Sequence, residues 1–596
     1  MNRLRNGVGL IIALVMLLSS AIQAQVLQQI PPSALMVIKV NNLKAVNDKV
    51  AKLSQDLGVA AMAPPLADPL AFLQVQAHMQ QGLDTSGELA FVMLDPATIP
   101  GAGGPEDAMM ILAPITDFKA FLTNWPDAKS EGDVAEINFG GETSYAAAWG
   151  KYAAITPNKA ALAAKLSGSP GMTAPSVTAK ELAGKDIVLF ANMPAIRGKL
   201  LPQVQQGRTA LLAEIEKAVA QEPQMAKFNA VIKAAMNQLM NVVETYMNEA
   251  EAATVGLSLV PAGINATITT EFSPGSYLGK TVAALKGTDA SLLNGLPQGK
   301  YLFYGGSVSD PAVAGKLLSD VVDPVVTELL AVGPEWVVAK DYMAALNQYV
   351  AASKSSTMAM VAPQGAVGAE ALMQIIAVQT GDAAAMKDAN TKMVESQAKL
   401  MKVLQLPGMA GISPIHTANA KTVDGVAMDS LVTKIEMDPQ NPAAAQQAQM
   451  MNLIYGPGGA TVYYGVSGDK MLLFSGVNDA TMASTIADAK ANSAVMGQDS
   501  GVQAVASQLP KQRIGVLYIG VGEIASTGLN YARQFGLALP VTLPADLPPI
   551  GVAISTDTTA LRIDAHIPTV LVQSLVAAGL QAQMQMQGGP PPGGGL

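Results

Sequence analysis

The chain has 596 residues, half of them hydrophobic and only 14% charged, which is enough to build large cores in two big domains or three to four smaller ones. No cysteine occurs, so disulfides, thiolate metal sites, a cysteine nucleophile and a lipid-modified N-terminal cysteine are excluded. The net charge of −9 comes with no basic run or patch, which argues against nucleic acid and anionic lipid as partners.

Residues 1–24 read as a secretion signal. Arg3 and Arg5 supply the charged region and Val8 to Leu18 the apolar one. Ser20-Ala21-Ile22-Gln23-Ala24 offers a small-residue cleavage site before Gln25. The apolar stretch is short for a bilayer span. No later segment reaches the roughly 18 uninterrupted apolar residues that a span needs. The processed protein is therefore expected to be periplasmic or extracellular, with no integral membrane segment.

From Ala34 onward a short strand, a turn rich in Asn, Gly, Asp or Pro, and an amphipathic helix recur. The copies are Ala34 to Asn42 with a helix from Leu43 to Leu57, and Asp186 to Pro194 with a helix from Ala195 to Gln205. They continue as Lys300 to Gly306 with Pro311 to Val322, and Arg513 to Gly520 with Glu523 to Phe535.

A second unit is a β-hairpin feeding a helix. Tyr145 to Trp149 pairs with Tyr152 to Thr156 before a helix at Pro157 to Leu166. Thr254 to Val260 pairs with Ile264 to Phe272 before Pro274 to Leu285. Thr461 to Val466 pairs with Met471 to Ser475 before Asp479 to Ala491, and Val552 to Ser555 with Ala560 to Ile567 before Pro568 to Ala578. Two long amphipathic helices complete the pattern. One starts at Pro223 and runs through Met225, Phe228, Leu239, Val242, Val243, Tyr246 and Met247; the other is Ala383 to Leu406. Both are expected to pack their apolar face on a sheet.

The units fall in similar order in residues 28–287 and 288–580, which predicts an internal duplication. The expected fold is α/β of the α+β kind, with two related lobes of mixed, largely antiparallel sheet packed with helices. The lobes are 25–287 and 288–580, and a Gly/Pro tail at 581–596 is too poor in apolar residues to fold. Pro100 to Asp107 and Ser167 to Ser176 read as surface loops.

Chemistry is sparse. Pro274 to Thr281 lies between strand and helix like a phosphate loop, but Pro274 stands where the first glycine belongs. Counting Ser273 as N-cap puts Gly279, Lys280 and Thr281 inside a helix. Gly520-Val521-Gly522 mimics a dinucleotide fingerprint without the downstream acid. Ser396 to Lys399 and Ser467 to Lys470 match Ser-x-x-Lys without its companion motifs, and both read as solvated surface. His78, His416 and His566 are far apart, so a zinc site or a triad would have to assemble by folding. Glu106 with Asp107 and Glu249 with Glu251 read as solubilising carboxylates. Met358 and Met360, Met450 and Met451, and Met584 and Met586 suggest soft copper ligands. Their strand and helix spacing makes core packing the simpler role for the first two pairs, and the third lies in the polar tail. No catalytic, cofactor or metal residue is assigned.

Three phrases carry a resemblance: Ile30-Pro31-Pro32-Ser33 continuing to Leu43, Leu83-Asp84-Thr85-Ser86-Gly87-Glu88 continuing to Val92, and Ile111 to Leu122. In these the chain resembles a class of exported bacterial proteins that carry a domain of unknown function. The resemblance implies export but no activity and no site residues. The expectation is a non-enzymatic envelope protein that binds an unknown protein, an envelope component or an apolar ligand. The alternatives are an extracytoplasmic hydrolase with a spatially assembled site and a carrier of apolar small molecules.

Overall fold

The structure, a computed structural model, describes residues 25–165, 171–221, 226–363, 365, 371–404, 409–437, 450–451, 453–456, 460–534, 536, 543–544 and 546–587. The signal region, Pro223 and residues 588–596 of the Gly/Pro tail lie outside the described residues, as does part of the 167–176 loop; residues 581–587, expected to belong to that unfolded tail, instead continue the helix Thr569–Gln587. Two compact units emerge. One joins Met1–Gln203, Tyr246–Lys280 and Asp557–Arg562; the other joins Val204–Thr245, Thr281–Thr556 and Ile563–Leu596.

The first unit carries β1 (Met36–Val40), β2 (Leu89–Met93), β3 (Met109–Pro114), β4 (Lys129–Glu131) and β5 (Val134–Phe139). It continues with β6 (Glu142–Trp149), β7 (Tyr152–Thr156), β8 (Ile187–Asn192), β9 (Ala250–Val260) and β10 (Gly263–Phe272). These pair antiparallel in the order β10-β9-β8-β1-β2-β3-β7-β6-β5-β4. The helices of residues 25–287 in chain order are α1 (Leu43–Asp56), α2 (Pro69–Gln76), α3 (Phe118–Leu122), α4 (Ser176–Gly184), α5 (Met193–Gln221), α6 (Asn229–Glu249) and α7 (Tyr277–Ala284); α5 from Val204, α6 as far as Thr245 and α7 from Thr281 count with the second unit. Short polar residues start several of them: the side chains of Asn42, Asp68 and Asp117 accept from Ala45, Ala71 and Ala120 amides.

The second unit carries β11 (Tyr301–Val308), β12 (Ser353–Val361), β13 (Gln374–Gly381), β14 (Met409–Val423) and β15 (Val426–Met437). Then follow β16 (Ala460–Ser467), β17 (Lys470–Ser475), β18 (Gly515–Ile519), β19 (Ile550–Asp557) and β20 (Ala560–Pro568). Their order is β20-β19-β18-β11-β12-β13-β17-β16-β15-β14, which is the first order with ten added to every strand number. Its helices are α8 (Pro311–Val332), α9 (Val337–Ala352), α10 (Ala383–Leu404), α11 (Asp479–Lys490), α12 (Ser500–Ala506), α13 (Val521–Gln534) and α14 (Thr569–Gln587). The mixed helix-and-sheet class expected from the sequence is the class observed, and every pairing of described register is antiparallel.

Each sheet buries one face broadly and the other in part. In the first unit Val37, Val92, Leu112, Val188 and Phe190 form a core with Val26, Leu27 and Ile30, while Ala113, Ala153 and Ile155 pack on Leu43, Phe121 and Trp125 of the opposite layer. In the second, Tyr304, Ile376, Phe474 and Tyr518 meet Ile486 and Val502; Met471 and Tyr464 meet Ala383 and Met386. Between these layers part of a sheet face stays bare. Ile38, Val255 and Leu257 are exposed in the first unit, and Phe303, Met358, Leu517 and Ile554 in the second.

Several local expectations need correction. Where a helix was expected at Pro157 to Leu166, residues 157–165 hold a 3-10 turn, Lys159–Ala164, and residue 166 lies outside the described residues. The helix after β10 starts at Tyr277, and Ser276 caps it by accepting from the Gly279 amide at 3.0 Å; Ser273 does not. The helix after β8 continues to Gln221 straight through Pro202. Helix α6 does not bury its whole stripe: Leu239, Val242, Val243 and Tyr246 are exposed. His416 lies on a strand of 15 residues that runs through Pro414, which an edge strand permits because, among the described residues, β14 pairs only with β15.

Candidate functional site

A cavity of the second unit lies on the bare face of β11, β12, β13, β18 and β19, with a volume of about 560 Å³. Strand alternation explains its construction, because residues two apart share a face. One rung across the sheet reads Met358–Gly305–Leu517–Val552, each the direct partner of the next. The rung above pairs Met360 with Phe303; the one below reads Ser356–Ser307–Gly515–Ile554. Large apolar side chains thus form the walls, and Gly305 and Gly515 form the floor. The one polar end is Ser307 with Ser356, whose hydroxyl accepts from Gln379 Nε2 at 2.9 Å.

The glycine at the centre is required by backbone proximity. A Cβ on Gly305 would stand 2.0 Å from the Val516 carbonyl oxygen. In the first unit the corresponding rung is Phe91–Ile38–Leu189–Val255, filled at every position. The trough follows from glycine standing where the first sheet has isoleucine.

Met358 was expected to fill the core, and the structure corrects that. Ala359 is the buried residue of the trio, while Met358 is 58% exposed on the trough wall. Period two put both methionines on one face, and the face turned out to be the open one.

The other sequence candidates do not converge in one place. Lys280 sits within α7, its amide donating to the Ser276 carbonyl, so no phosphate loop forms. Gly520 donates its amide to Leu302 O at 2.9 Å, and a Cβ there would meet Tyr301 O at 2.2 Å; close strand packing accounts for the glycine. Ser396 and Lys470 are buried, contrary to the solvated surface expected of them. Lys470 is drawn in because β17 pairs with β13 as well as β16, and its ammonium meets Asp469 Oδ1 at 2.9 Å.

His78 follows α2 with a left-handed φ of 50°. His566 is buried on β20, where desolvation holds it below the usual histidine range. His416 faces Asp429, with Nε2 3.5 Å from Oδ2, and its ring stacks on Tyr464. Burial opposes the Asp429 charge, yet the Asn419 amide, the Lys387 ammonium at 3.0 Å and His416 together hold its carboxyl below the usual range. Among the described residues no hydroxyl hydrogen-bonds to His416, so the pair lacks a nucleophile. Among them, too, no three His, Cys, Asp or Glu side chains are grouped to hold a metal.

No family model matches this chain, and no curated protein does. Among solved structures, crystal form III of TP0453 aligns over 48% of this chain and 97% of its own, at 10% identity and a TM-score of 0.20. A likeness that weak carries no argument. No helix among the described residues is long and apolar enough to cross a membrane.

Proposed function

We propose that this chain is an exported, non-enzymatic protein whose second unit binds an elongated apolar molecule with one polar end. The trough carries the reading. Its walls are Phe303, Met358, Leu517 and Ile554, its floor is glycine, and hydroxyls stand at one end alone. A concave apolar surface with a few convergent polar groups is the usual form of a small-molecule site. An empty one leaves that surface in contact with water. Two features support a reading without turnover: the three histidines stand apart, and among the described residues no hydroxyl partners His416. Export to the periplasm or beyond rests on the order of charged, apolar and small residues before Gln25. The repeated strand order supports a further part of the proposal, that the two units arose by internal duplication.

The test is titration of the purified chain with a fluorescent long-chain fatty acid, repeated on Leu517→Lys and Met358→Lys. Both side chains are exposed, so the fold should survive, which circular dichroism would verify. Saturable binding by wild type, weakened at least tenfold by each lysine, is expected. No saturation in wild type, or equal binding by all three proteins, would sink the reading.

A further inference from the structure

A second cavity of the same unit, about 400 Å³, has the opposite chemistry. Tyr301 and Tyr304 line it, with Lys300, Asp499, Glu523 and Asp546 around them. Three carboxylates thus face one ammonium. Lys300 and Glu523 satisfy each other at 3.1 Å. Asp499 commits Oδ1 to the amides of Gly501 and Val502, at 2.9 and 3.0 Å, leaving Oδ2 unused. Asp546 makes no ion pair among the described residues. The cavity is left with about two negative charges.

Tyr304 supplies an independent sign that a ligand belongs here. The residue is only 4% exposed, and its ring stacks on Tyr518 at 5.2 Å and lies 5.5 Å from that of Tyr301. Tyr301 gives its hydroxyl to the Pro297 carbonyl at 2.7 Å. The Tyr304 hydroxyl has no hydrogen-bond partner among the described residues and is not one of the side-chain atoms sealed from solvent, so on an otherwise buried residue its lone pairs stay open to an incoming donor. Burial above all, and then the charge of Asp499, push its pKa up, so it stays a neutral hydroxyl with lone pairs to offer.

We infer that this cavity binds a small aliphatic amine, its ammonium held by the Tyr304 hydroxyl and the free oxygens of Asp499 and Asp546. An ammonium supplies donors and no acceptors, which matches a site whose unused groups are all oxygens. A phosphate or carboxylate would meet the unpaired charges of Asp499 and Asp546. The inference does not rest on the apolar trough: Tyr304 borders both cavities, but strand alternation turns its side chain away from the face that carries Phe303 and Ser307, so the hydroxyl the amine needs is not part of the trough wall.

Calorimetric titration of the full chain with 1,4-diaminobutane tests it, with 1-butanol and inorganic phosphate as comparison probes. The diamine alone should bind saturably. Tyr304→Phe keeps the ring stack and removes one oxygen, and should weaken binding about tenfold. Asp546→Asn, at an exposed position that cannot disturb the core, should weaken it about threefold, with the loss shrinking at high salt. Binding of butanol as tight as that of the diamine would overturn the inference. So would phosphate binding, an absence of saturation, or indifference to both substitutions.

Discussion

Glu88→Gln should cost more stability than Lys39→Met, although the two residues form one ion pair. Lys39 is 0% exposed, with Nζ 2.8 Å from Glu88 Oε1 and 3.0 Å from the Leu182 carbonyl. Glu88 keeps 23% of its side chain in solvent, and its second oxygen accepts the Val26 amide at 3.1 Å. Removing the carboxylate charge strands an ammonium inside the core with one carbonyl for company. Breaking a buried pair from one side costs about 3 to 5 kcal/mol, and the partial exposure of Glu88 brings the expected loss to about 2 to 4. Removing the ammonium instead leaves a carboxylate that water reaches, and the Leu182 carbonyl keeps the Asn41 side-chain amide at 2.9 Å. That loss should be about 1 kcal/mol or less. Urea denaturation at pH 7 decides, provided the slopes agree so that midpoints report stability. A Lys39→Met chain as damaged as Glu88→Gln would refute the reasoning. The pH dependence gives a second check. Burial lowers the Lys39 pKa against the pull of Glu88, so above that value the unfolded chain binds the extra proton. Wild type should therefore gain on Lys39→Met as pH rises from the lowered value toward 10.5.

Three further outcomes are expected. His566 is held below its ordinary range by burial, so the unfolded state binds more protons as pH falls under 6.5; stability should drop there, and His566→Gln should blunt the drop in pH-dependent melting. Gly305→Ala would press a methyl against the Val516 carbonyl, so thermal denaturation should show a loss of about 1 to 3 kcal/mol; an unchanged melting temperature would mean that β11 and β18 separate freely. Intact mass of the exported protein should correspond to a chain beginning at Gln25, and one still beginning at Met1 would reject the signal.

The hairpins were legible because alternation and turn residues are local: β6 with β7 and β16 with β17 pair as their spacing predicts, each through a glycine at φ 61°. Helix starts were legible where a polar cap stands, as at Asn42 and Asn478. Which sheet face would stay bare was not legible. Phe303, Met358 and Leu517 look like core residues from either side of their strands, and only the placement of the helices decides. The trough's single local signal was Gly305-Gly306 inside a strand otherwise rich in aromatic residues. The tyrosine cavity left even less trace. Asp499, Glu523 and Asp546 come from three separate segments, and nothing in their spacing announces a meeting.

The two long helices α5 and α6 leave and rejoin the sheet at neighbouring points. Helix α5 begins at Met193, directly after β8, and α6 ends at Glu249, directly before β9, while Asn192 and Ala252 are paired across those strands. The same junction recurs where Ile519 pairs with Ile550 on either side of the segment containing α13. A segment whose ends already touch adds little closure entropy whatever its length, since each doubling costs only about 0.6 kcal/mol. Joints of this kind, where paired residues flank the segment, let its length change without disturbing strand register; Val40 with Leu89 and Val308 with Ser355 flank two more. Variety in length is expected to collect at these paired joints before it reaches the strands themselves.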